Sequence, residues 1–135
     1  MGGVRAGVSY LAVLLMVVWG VSAPAEEVVE LPSGAVAHLQ EVVTDRPGGG
    51  LVYRFRFVID GFTAEADKLE MVMGDMDHLC AEYALPRVPA VGPQPSLIII
   101  SLASDESPFG EITPGILQVF EAYSIENGAC IWEAF

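Results

Sequence analysis

Leu51-Val52-Tyr53-Arg54-Phe55-Arg56-Phe57-Val58-Ile59 decides the fold class. Successive side chains of an extended strand point to opposite faces, so Tyr53, Phe55, Phe57 and Ile59 share one face while Arg54 and Arg56 share the other. One face therefore packs on a core, and the other meets water or counter-charges. Before this strand, Arg46-Pro47-Gly48-Gly49-Gly50 is a chain breaker. Residues 35–44 read as a strand with mixed faces, Leu31-Pro32-Ser33-Gly34 as a turn, and residues 28–31 as a short apolar run.

The period changes after Ile59. Leu69, Val72, Met73, Met76, Leu79, Cys80 and Tyr83 recur at helical spacing, which predicts an amphipathic helix over residues 64–84. Thr63 is its expected N-cap, Glu65 and Asp67 sit near its positive end, and Gly74 lies on its polar side. Residues 85–96 carry Pro86, Pro89, Pro93 and Pro95, which forbid a continuing helix and predict an extended crossing loop. Residues 97–102 form an unbroken apolar run, as in a strand buried on both sides. Residues 104–115 are polar and rich in turn formers.

Asn127-Gly128 is a strong two-residue hairpin signal, because both central positions of a type I′ turn need positive φ. Pairing outward from it sets Ile125 against Cys130, Tyr123 against Trp132 and Phe120 against Phe135. The order is thus βββ-α-βββ. This predicts an α+β domain, a mainly antiparallel sheet of five or six strands with one long helix packed on one face. The order of strands within the sheet does not follow from the sequence.

Residues 6–25 are apolar after the lone charge of Arg5, and Ala23-Pro24-Ala25 supplies the small residues that a signal peptidase reads. Residues 1–25 therefore read as a secretory signal peptide and residues 26–135 as a single domain. The alternative is an uncleaved anchor, since 20 helical residues reach about 30 Å, enough to span a bilayer. No Cys follows the apolar run and no twin-Arg pair precedes it, which argues against a lipoprotein and against twin-Arg export. Export places the protein in the periplasm or beyond, with no stable membrane span after cleavage. The remaining segment holds all 18 carboxylates but five of the six Lys and Arg, a charge of −13 with both His neutral. Such a surface repels phosphate backbones and argues against nucleic-acid binding.

Cys80 and Cys130 are the two cysteines. In an oxidising compartment they pair, and the closed loop removes roughly 4 kcal/mol of denatured-state freedom in the chain-entropy view. A reactive thiol is the alternative. It needs a cationic neighbour, and His78 lies about 200° from Cys80 around a helix. Cys80 falls within the helix's apolar stripe and Cys130 on the Tyr123/Trp132 face, so a bridge requires the helix to cover that face.

Leu31-Pro32-Ser33-Gly34, Tyr53-Arg54-Phe55-Arg56-Phe57, Leu79-Cys80, Tyr83-Ala84-Leu85-Pro86, Gly92-Pro93-Gln94-Pro95-Ser96, Pro108-Phe109-Gly110, Phe120-Glu121-Ala122-Tyr123 and Cys130-Ile131-Trp132-Glu133 together resemble an uncharacterised family of small exported bacterial proteins, a domain of unknown function. The likeness spans most of the chain after residue 25. It implies export and a bacterial source, and it carries no activity.

Asp75, His78 and Glu82 are spaced i, i+3 and i+7 on the expected helix, and such a stripe can hold Zn²⁺ or another divalent ion. The plainer reading is a solvated acidic face whose carboxylates favour charged His78. Arg54 and Arg56, about 7 Å apart along one strand face, can clamp a carboxylate or sulfate, or simply pair with the more numerous carboxylates. His38 has no partner that sequence can name. Pro86-Arg87-Val88-Pro89 fits a PxxP spacing, a common one in folded loops. Trp132 to Phe135 can be captured by a partner that reads C-termini, add as an edge strand, or close the core through Phe135 against Phe120. No nucleophile elbow, His-Glu-x-x-His, phosphate-cradling loop or cofactor motif is present. The sequence thus points to a binding or accessory protein with a protein partner in the cell envelope. A metal-dependent hydrolase on Asp75, His78 and Glu82 is the alternative.

Overall fold

A computed structural model of the chain describes residues 2–4, 7, 12–20, 27–89 and 92–134. Six strands form one sheet in sequence order: β1 Val28–Glu30, β2 Val36–Asp45, β3 Val52–Val58, β4 Leu97–Ala103, β5 Gln118–Glu126 and β6 Ala129–Glu133. The neighbours β1/β2, β2/β3, β4/β5 and β5/β6 are antiparallel, while β3 and β4 are parallel. A parallel pair cannot be joined by a tight turn, so the helical segment lies in this one crossover. The expected mainly antiparallel α+β fold is the one observed.

The alternation along β3 fixes which face is buried. Phe55 and Phe57, with Ile98, Ile100 and Leu102 of β4 and Tyr123 of β5, meet Val72, Met76, Leu79, Cys80 and Tyr83 of the helical segment in one core. Burying each such large side chain contributes about 1.5–3 kcal/mol relative to exposure. The rings of Phe55 and Phe57 stand edge-on to Tyr83, with centroids 6.2 and 5.3 Å away.

The helix differs in detail from the single element expected over residues 64–84. A 3₁₀ turn, Ala66–Lys68, leads into α1, Leu69–His78, which widens into a π turn, Leu79–Ala84, and ends in a 3₁₀ turn, Leu85–Arg87. Thr63 is not the cap, because residues 62–65 stay outside the helix. Pro86 is accommodated rather than excluded, since it occupies the first turn of the last segment, where its missing N–H costs nothing. The expected crossing loop therefore begins three residues late.

At the hairpin, Asn127 and Gly128 have φ of 50° and 74°, and the register sets Ile125 against Cys130 and Tyr123 against Trp132. The expected pairing of Phe120 with Phe135 involves a residue outside those described. Phe120 itself is exposed, so it does not close the core. Gly50 permits a close approach, since a Cβ there would stand 2.5 Å from the Ser96 hydroxyl oxygen and 3.2 Å from its Cβ, so that Ser96 would have to shift.

Candidate functional site

The sheet face turned away from the helix is organised in rows. Parallel register places Arg54 beside Ile99 and Arg56 beside Ser101. Antiparallel register continues those rows to Ala122 and Phe120. Over this floor runs the connection between β4 and β5, residues 104–117. It bounds a cleft of about 220 Å³ lined by Arg54, Arg56, Ile99, Ser101, Gln118 and Phe120 below and by Phe109, Gly110, Glu111 and Ile112 above.

Ser107 pins this connection to the sheet. The register between Leu39 and Glu41 shifts by one residue, and a bulge of this kind re-aims the extra side chain. Gln40 Nε2 donates to the Ser107 carbonyl at 2.8 Å while the Ser107 N–H donates to Gln40 Oε1 at 3.4 Å. Arg56 Nη2 adds a bond to Ser107 Oγ at 3.2 Å. At the base, the Ser104 N–H donates to the Leu117 carbonyl at 2.9 Å and the Leu117 N–H to Ser104 Oγ at 3.0 Å. Between these anchors, positive φ at Gly110 and Gly115 lets the chain turn back over the strands.

The electrostatics follow from the β2/β3 register. Glu41 stands directly opposite Arg56 and accepts from its Nη1. Asp45 lies diagonally from Arg54 and accepts from its Nε at 3.0 Å. Arg56 is 5% exposed, a burial of a charged side chain that requires partners of this kind. The Phe109 ring lies 5.3 and 5.7 Å from the two guanidinium carbons, in cation–π range. Protein partners take one nitrogen of Arg54 and two of Arg56, out of five N–H donors on each. Ser101, 6% exposed, has a hydroxyl oxygen with no partner among the described residues. The floor therefore carries unspent donors. Glu111 and Ile112 form the outer lip, Ile112 with 98% of its surface in solvent.

The structure thus brings together Arg54 and Arg56. It does the same for Cys80 and Cys130, which are joined with Cα atoms 6.3 Å apart, tying the π turn to β6. The three residues of the acidic stripe differ in exposure. Asp75 is 4% exposed and accepts from the N–H and Oγ–H of Ser33 at 3.0 and 2.5 Å, whereas His78 is half-buried and Glu82 exposed. No group of three His, Cys, Asp or Glu among the described residues is placed to hold a metal ion.

His38 is half-buried in β2 between Val28 and Val58. The PxxP spacing is broken up by contacts of Arg87, whose guanidinium lies 3.5 Å over the Tyr83 ring and donates to its carbonyl at 2.8 Å. Tyr83 in turn donates to the Glu27 carboxylate. Burial and then that bond push the Tyr83 hydroxyl up to about 12. Burial and the bond to Asp77 raise Tyr123 in the same direction. No described helix is long and apolar enough to cross a membrane.

Ser101, Ser107, Gln40, Phe109 and Phe120 are the site residues that sequence reasoning missed. The available signal was the pair Phe109 and Ile112, two large apolar side chains within the otherwise polar residues 104–115.

Comparison with known proteins gives no match among curated proteins and none among solved structures. A family model does match, over residues 15–135, and the chain belongs to that family, described as a family of unknown function, DUF6497.

Proposed function

We propose that this chain is an exported, disulfide-stapled binding domain that acts without catalysis, and that its ligand sits in the cleft beneath Phe109. One observation carries the reading. Guanidinium nitrogens of Arg54 and Arg56 that no described residue takes lie under the Phe109 ring in a cleft that Ile99, Ser101 and Phe120 also line, the combination of apolar walls and few polar groups that marks ligand sites. The helix-side core supports it by freeing the opposite face, because the bridge and the apolar stripe hold the sheet without help from residues 104–117.

The test is a fragment screen by NMR on the oxidised protein, with neutral, cationic and anionic fragments equally represented. Shifts clustered at Ile99, Ser101, Phe109 and Phe120 support the reading, and hits scattered elsewhere or absent refute it. Export is tested separately by N-terminal sequencing of protein recovered from the host's exported fraction. A start at Glu26 is expected, and an intact Met1 would overturn it.

A further inference from the structure

We infer that the cleft selects a small organic carboxylate borne on a flat apolar body. The inference rests on the cleft being a ligand site and adds the chemistry that fills it. A guanidinium offers donors and no acceptor, so the floor around Arg54 and Arg56 rewards a ligand rich in acceptors. Side-by-side strand positions bring two such forks within reach of one planar acceptor group, and bidentate pairing of guanidinium with carboxylate is the strongest use of that geometry. Ser101, buried and unpartnered among the described residues, lies beside Arg56 on the floor.

An inorganic anion fits less well. Ile99, Phe109 and Phe120 wall the same space and cannot solvate an ion charged on every side. The charge must sit at one end and a flat apolar body at the other. The cavity of about 220 Å³ falls below the roughly 300–1,000 Å³ of sites for drug-sized ligands, which sets the size class.

Glu41 and Asp45 already face the guanidiniums, with side chains 40% and 32% exposed. Arg56, its side chain 6% exposed, keeps Glu41 as a partner that its burial requires. A ligand carboxylate therefore joins these pairs through the guanidinium nitrogens they leave free rather than displacing them. Glu111 on the lip opposes any anion.

A matched set of probes separates the ligand class from the site. Benzoate, benzamide and benzylamine share one ring and differ in charge. They are titrated into the oxidised protein and followed by NMR shifts at Ile99, Ser101 and Phe109. The proposal expects benzoate to bind about tenfold more tightly than either analogue, since one charge-assisted contact is worth about that factor. It expects Arg54→Gln to weaken benzoate about tenfold and Glu111→Gln to tighten it several-fold by removing a like charge. Glu111→Gln leaves the buried structure untouched, so it reads the electrostatics even if an Arg variant folds poorly. Benzamide or benzylamine binding at the cleft as tightly as benzoate overturns the carboxylate class and leaves the site standing. Failure of all three to move cleft resonances overturns both.

Discussion

Asp75 is an acidic residue spent on structure. Its neighbours at i−3 and i+4 are the buried Val72 and Leu79, so it sits on the helix face that looks at the sheet, and the two donors of Ser33 make its burial tolerable. Through them one side chain closes the Leu31-to-Gly34 turn onto α1. Ser33→Ala strips a buried carboxylate of one hydrogen bond and is expected to cost about 1–3 kcal/mol in urea unfolding. A double-mutant cycle with Asp75→Ala should show coupling, and strict additivity would remove this contact from the account. Tyr83 carries the pH dependence at this scale. Its folded value of about 12 exceeds the ordinary 10, so the folded chain holds that proton more tightly than the unfolded one. Its share of stability is complete below pH 10 and drains as pH climbs toward 12. A tyrosinate absorbance titration should show a step near pH 12 that is absent in Tyr83→Phe, and an unchanged profile would contradict the assigned environment. Arg54 and Arg56 were legible as a pair from strand alternation alone. Ser101 was not, because only the parallel register beside Arg56 turns it into a floor residue.

Among the elements, the helix shows where pattern reading stops. The spacing of Leu69 to Tyr83 predicts one continuous helix, and it identifies the buried stripe from Val72 onward. It does not register a change of pitch. In the π turn Leu79–Ala84 each residue advances by less rotation than in an α-helix, so Glu82 no longer stands above Asp75 and the expected i, i+7 alignment dissolves. Cys80, at the start of that turn, faces β6 and joins Cys130. The terminal hairpin was legible because Asn127-Gly128 fixes its register locally. The bridge was legible because two cysteines allow one pairing. Replacing both with Ser reopens a loop of 50 residues, for which chain entropy predicts a loss of roughly 4 kcal/mol. Because β6 is an edge strand held to the helix by this bond, hydrogen exchange should then accelerate first in β5 and β6 while β2 to β4 stay protected. Uniform acceleration across the sheet would mean that the bridge acts on the whole domain at once.

The molecule as a whole is one sheet with two unlike faces. Hydrophobic alternation revealed the faces, since each side chain's partners along a strand are set by a period of two. The parallel joint between β3 and β4 was not legible, because any chain that leaves a strand, forms a helix and returns can re-enter beside several partners. That joint sets Ile99 and Ser101 next to the two arginines and thereby creates the cleft. The same strand thus faces the main core on one side and the candidate cleft on the other, and this can be measured. Ile100, fully buried under the helix, belongs to the main core. Ile99, 8% exposed, belongs to a small separate cluster with Val52 and Ala122. Ile100→Ala should cost about 2–5 kcal/mol, as expected where surrounding atoms cannot collapse into the void. Ile99→Ala should cost clearly less, because the space it opens joins an existing cleft, and it should weaken ligands of the cleft. Urea unfolding of the two variants decides the matter. Equal losses would make the 104–117 connection the cover of a second core rather than the roof of a site, and the binding reading would fall with it.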